Sequence, residues 1–181
     1  MNVFANLIRA IDWLNERIGR TVAWLTLSMV IVTVVVAMLR YLFNVGWVWL
    51  QESYVWMHGT IFMVAAGYTL LYDGHVRVDI FYRTATQRFK AWVDLFGSLF
   101  LLFPSIAIIW WVALPWVLLS WHRLEESREA GGMPGLYLWK TTMLIFCILL
   151  ALQGLAIVIR SIFVLTGHTE DLHQEDGQKG G

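Results

Sequence analysis

The sequence predicts an all-α integral membrane protein: four transmembrane helices in a small bundle, preceded by an N-terminal amphipathic surface helix. Three observations carry that prediction. Hydrophobic residues make up 59% of the 181 and charged residues only 14%, against about half and about a quarter in ordinary soluble domains. Four stretches reach the roughly 20 mostly apolar residues needed to cross about 30 Å of hydrocarbon. Aromatic and basic residues gather at the ends of those stretches, as they do at membrane–water boundaries. The formal net charge is zero, so composition gives no argument for a nucleic-acid partner. Cys147 is the single cysteine, which excludes an intramolecular disulfide.

The elements follow in chain order. In residues 1–20, Val3, Leu7, Ile11, Leu14 and Ile18 recur at helical spacing, with Asn6, Arg9, Asn15, Glu16 and Arg17 largely off that stripe. This pattern fits an amphipathic helix at the membrane surface, or one packed on the protein's own membrane helices. The membrane domain covers 21–165, with spans at about 21–43, 50–72, 91–121 and 141–165. Pro104 and Pro115 lie inside the third span, and each removes an intrahelical hydrogen bond, so that span is expected to kink or tilt. The tail 166–181 is Gly-rich and polar, the composition of a disordered segment.

Basic residues set the expected orientation. Arg9, Arg17, Arg20, Arg77, Arg83, Arg88, Lys90, Arg160 and Lys179 fall on the side of the termini, and Arg40, Arg123, Arg128 and Lys140 on the other. The excess places both termini and the 73–90 loop in the cytoplasm and the 121–140 loop outside. Trp47, Trp49, Trp121 and Trp139 then form an outer aromatic belt, with Trp24 and Trp92 near the inner one.

Charges in membrane helices mark function or partners by default. Arg40 and Glu52 lie near the outer ends of adjacent spans, so they either pair across the hairpin, meet another subunit, or snorkel separately to the interface. His58 is the most deeply embedded histidine. It reads as a satisfied bundle histidine, because bis-His haem ligation needs a second histidine at matched depth and only His122 approaches it. Asp73, His75 and Asp79 crowd the exit of the second span, but their spacing does not complete a three-ligand metal site. No phosphate loop, nucleophile elbow or cysteine pair is present, and polar groups at mid-span are sparse. Neither an enzyme nor a cofactor or metal site is expected.

The motifs "RYLFN" (Arg40 to Asn44), "WLQESYVWMHG" (Trp49 to Gly59) and "AAGYTLLYDGHVRVD" (Ala65 to Asp79) occur in order along the chain. Together they resemble the small membrane subunit of tripartite ATP-independent periplasmic (TRAP) transporters, the DctQ-like family. The resemblance covers about residues 20–165. It implies a scaffold subunit of a sodium-driven secondary transporter of the bacterial inner membrane. The expected partners are a large multi-span subunit that carries the substrate and sodium sites, a periplasmic substrate-binding protein that delivers an organic acid, and membrane lipid. On this resemblance Arg40, Asn44, Glu52, His75, Arg77 and Asp79 are structural or partner-interface residues. The family commonly has two adjacent acidic residues where this chain has Gln51 and Glu52, so a role that needs both carboxylates is in doubt.

The outer loop carries Glu125, Glu126, Arg128 and Glu129, followed by Gly131, Gly132 and Pro134. That order predicts a short helix ended by the glycines. The loop resembles that of a TRAP subgroup, and Glu125, Glu126 and Glu129 are candidate contacts to the binding protein or to the large subunit's outer face; a merely solvated loop is the alternative. A haem-bearing anchor and a stand-alone small transporter are the competing function classes.

Overall fold

The computed structural model describes residues 2–74 and 85–167, and its regular elements are all helical. In chain order they are α1 (Asn2–Phe43), α2 (Val48–Val64), α3 (Ala66–Leu71), α4 (Gln87–Gly97), a π-helical turn (Ser98–Leu102), α5 (Phe103–His122) and α6 (Leu136–Thr166). They form four helices long and apolar enough to cross a membrane: Val3–Phe43, Val48–Leu71, Gln87–His122 and Leu136–Thr166. The end of the bundle where Asn2 and Thr166 lie is called here the terminal end, and the opposite one the loop end.

The boundary expected at residue 20 is absent. α1 runs unbroken for 42 residues, about 63 Å, or twice the hydrocarbon thickness. Its inward positions are 8, 11, 15, 18, 22, 25, 29, 32, 36 and 39. Steps of three and four sustained over that length make one left-handed packing seam. The seam crosses residue 20 because nothing there stops a helix. No proline intervenes, and the missing Cβ of Gly19 is where the Tyr68 ring sits. At its start Ile8 and Ile11 pack on Ala156 together with Leu152, Ile159 and Phe163. Further along, Val22 meets Val64 and Leu149, flanked by Leu14, Ile18, Leu25 and Ile61. Of the stripe read from the sequence, Ile11, Leu14 and Ile18 therefore face the protein, while Val3 and Leu7 remain exposed.

A polar chain pins this first half of α1. Asn15, fully buried, donates from Nδ2 to Gln153 Oε1 at 2.9 Å. Gln153 in turn donates to Asp12 Oδ1 at 3.1 Å, and Arg160 pairs with the other Asp12 oxygen. Arg20 and Glu16 pair at 2.5 Å one turn apart. Beyond a break at Ala65, Gly67 packs within the subunit, against Asn15 and Leu149.

α6 is the central strut and packs against every other helix. A third of its most apolar window is buried, 33%, against 6% for α1. Its Cys147 and Leu150 form a cluster with Ile106 of α5, into which Leu102 and Trp110 also pack. The third span does depart from a regular helix. The Phe103 N–H reaches back five residues to Ser98 O, one residue before Pro104. Proline has no N–H to give and clashes with the carbonyl four residues back, and a widened turn relieves both. Leu102, at the end of that turn, rests on Gly154, where an added Cβ would sit 2.7 Å from its Cδ2.

Candidate functional site

At the loop end α1 stops at Asn44, which adopts a left-handed conformation (φ 53) that asparagine tolerates better than most residues. The Val45 N–H closes the end on Leu39 O at 3.1 Å. Arg40 in the last turn is exposed. One short connection later, α2 carries Glu52 in its second turn.

Glu52 does not pair with Arg40. Its carboxylate accepts from the Ser127 hydroxyl and, at 2.6 Å, from the Met133 backbone N–H. Both donors belong to the α5–α6 loop, about 80 residues away in sequence. Gly132 lies flat against the same carboxylate: a Cβ there would come within 2.7 Å of Glu52 Oε2 and 2.6 Å of Ser127 Cβ. A charged acceptor with two donors is worth more than a neutral one, which explains why the loop abandons the short helix expected at 125–129. Within the loop, Ser127 N–H bonds to Met133 O at 3.2 Å and Gly132 N–H to Glu129 O at 2.9 Å. Leu124 (φ 45) and Gly131 (φ 76) take left-handed conformations that no helix contains. An isolated turn of helix is costly to nucleate, and these long-range ties outweigh it.

A second clamp holds the start of the loop. Lys140, in the first turns of α6, is only 6% exposed, pairs with Glu125 and stands 4.0 Å from the centre of the Trp116 ring. The Lys140 ammonium is the main reason that the Glu125 carboxyl is held below its ordinary value. Indole groups tie the rest of this end together. Trp121 Nε1 donates to Thr141 Oγ1 at 2.9 Å, and Trp139 Nε1 donates to Trp56 O at 3.0 Å. Trp139 also stacks on Trp56 and fills the space left by Gly59.

The candidate acids therefore divide. Glu125 is half-buried and occupied by Lys140, whereas Glu126 and Glu129 stand exposed on the clamped loop. Ser127, Gly132, Met133, Lys140 and Trp116 were not legible as site residues. The one local signal was a lysine opening a long apolar run. His58 is not the satisfied bundle histidine expected: it is exposed on α2. His75, Arg77 and Asp79 lie outside the described residues, as does the tail from residue 168.

The loop end is thus a rigid cap: backbone and side-chain donors are consumed in fixing the α5–α6 loop across α2 and α6, with two carboxylates displayed on it. A model of the DctQ component of tripartite ATP-independent periplasmic transporters matches residues 29–164. No curated protein and no solved structure matches. The matched region holds all of α2 to α5, the clamped loop and nearly all of α6. That family is a transporter component rather than an enzyme family, and its members work with a large membrane subunit and a substrate-binding protein. With most of its length matched and four membrane-length helices, this chain belongs to the DctQ family of TRAP transporter subunits.

Proposed function

We propose that the chain is the small scaffold subunit of a sodium-driven TRAP transporter importing an organic acid, and that it braces the large transport subunit. The observation that carries this reading is how little the bundle encloses. Only 6%, 11% and 11% of the most apolar windows of the first three spans are buried, so most of their surface faces outward. A subunit shaped to present apolar faces suits bracing, because helices associate in lipid by packing over such faces. The basic-residue excess supports termini in the cytoplasm of the inner membrane and the α5–α6 loop in the periplasm. On that orientation Glu126 and Glu129 contact the binding protein or the large subunit's outer face. Arg40 and Asn44 shape the outer hairpin, and His75, Arg77 and Asp79 form the inner attachment.

The test is uptake of a panel of labelled carboxylates into proteoliposomes under an imposed sodium gradient. The liposomes contain the large subunit and receive the binding protein, with or without this chain. Uptake that requires all three components supports the reading. Equal uptake without this chain, or uptake by this chain alone, contradicts it.

A further inference from the structure

The outward face of α1 changes character in order along the chain. Trp13, Arg17, Arg20 and Trp24 recur at steps of three and four and are all exposed, and Leu27, Ile31, Val35 and Met38 continue the same exposed face. Aromatic and basic residues therefore come first, and a purely aliphatic track follows. Between Trp13 and Trp24 lies a cleft of about 490 Å³, lined also by Glu16, Arg17, Arg20 and Thr21.

This cleft sits where the hydrocarbon begins. Trp24 to Phe43 spans 20 residues whose one charge is Arg40 in the last turn, about 30 Å of helix and one hydrocarbon thickness. On α6 the last charge is Arg160, which meets α1 at Asp12. The boundary at the terminal end thus falls on α1 between Asp12 and Trp24.

The charges of the cleft are not balanced within the chain. Glu16 pairs with Arg20 at 2.5 Å and accepts from the Tyr72 hydroxyl at 3.2 Å. Arg17 stands 5.8 Å from the centre of the Trp13 ring and has no carboxylate partner among the described residues. The cleft keeps a net positive charge, with guanidinium donors that match phosphate oxygens. The aliphatic track gives the rest of the occupant. Where helices of this bundle approach closely, a glycine makes room: Gly19 for Tyr68, Gly59 for Trp139, Gly67 for Asn15 and Gly154 for Leu102. Residues 20–43 contain no glycine, and Ser28 bonds its hydroxyl back to Trp24 O at 3.3 Å. Bulky aliphatic side chains with no free polar group suit acyl chains better than another helix.

We infer that this face of α1 binds an anionic phospholipid of the leaflet at the terminal end. Arg17 and Arg20 hold its phosphate between the two indoles, and its acyl chains lie along Leu27, Ile31 and Val35. Such a lipid seat goes beyond the scaffold reading and does not depend on it.

The experiment is native mass spectrometry of the full chain, titrated in detergent with phosphatidylglycerol or phosphatidylcholine. Tighter binding of phosphatidylglycerol is expected. Arg17→Gln should weaken it about fivefold, the effect of one basic residue near an anionic lipid surface. Changing both Arg17→Gln and Arg20→Gln should abolish the preference. Arg88→Gln, at an exposed arginine on α4 at the same end, should leave it intact, and excess inorganic phosphate should not displace the lipid. A photo-crosslinking amino acid at 31, in cells that also make the large subunit, should attach to lipid; it tests the face without touching either arginine. Equal binding of the two lipids by the unaltered chain would overturn the inference, as would no effect of the arginine changes or an equal loss from Arg88→Gln. Displacement by phosphate, or crosslinks from 31 to the large subunit or to a second copy of this chain, would overturn it too.

Discussion

Replacing Glu52 by Ala removes the acceptor that holds the α5–α6 loop across the bundle. The substitution leaves the Ser127 hydroxyl and the Met133 N–H without their partner in a half-buried site. Hydrogen bonds to a charged acceptor contribute about 1.5–3 kcal/mol each, and the two share one carboxylate in partial contact with solvent, so a combined loss of ~2–4 kcal/mol is expected. That corresponds to roughly a 30- to 700-fold shift in local opening. Global unfolding need not follow, because Lys140–Glu125 and the indole ties remain. The assay is amide hydrogen exchange by mass spectrometry on the chain in lipid nanodiscs. Peptides covering 125–134 should exchange faster by about that factor, while peptides from α1 stay unchanged. Glu52→Gln, which keeps an acceptor oxygen but loses the charge, should fall between. Unchanged exchange at 125–134 in Glu52→Ala would refute the clamp, as would equal acceleration throughout the bundle.

Three further outcomes follow from the same contacts. Gly132→Ala drives a methyl into Glu52 and Ser127 and should loosen the same peptides by about 1–3 kcal/mol, read in the same assay. The Glu125 carboxyl lies below its ordinary value of 4.5, so the stability it adds is complete above that pH and fades only as pH falls through its lower folded value. Carboxyl carbon NMR should therefore place the Glu125 midpoint below that of a free glutamate, and Lys140→Met should move it upward; an unmoved midpoint would discount the pair. Gly67→Ala pushes a methyl onto buried Asn15 and should release the first half of α1. The disulfide yield between cysteines placed at Ile11 and Ala156 should drop, with Gly97→Ala, in open space, as the unaffected control.

Much of the architecture was legible because lipid imposes a blunt rule: about 20 apolar residues in a row mark a span. Helices two and four begin a few residues before their expected starts, and the third takes in Gln87. What was not legible depends on contacts distant in sequence. The stripe in residues 1–20 left a surface helix and one packed on the protein's own helices both open, and the contacts that hold it in the bundle lie far along the chain: Asp12 is matched by Arg160, 148 residues on. Glu52 read as a partner for nearby Arg40, for another subunit or for the membrane interface, and its donors in this chain lie 75 and 81 residues away. The loop's charges and glycines read as a short capped helix, since nothing in the local pattern announces a carboxylate waiting on another helix. His58 was misread for a related reason: periodicity alone does not say which face of an apolar helix the bundle covers.

A chain that braces a larger membrane protein stays bound to it outside the membrane. Native mass spectrometry of the tagged full chain, co-expressed with the large TRAP subunit, checks this. A defined complex containing both chains that survives release from detergent is expected. Recovery of this chain alone, or only with copies of itself, from membranes that contain the large subunit would contradict it.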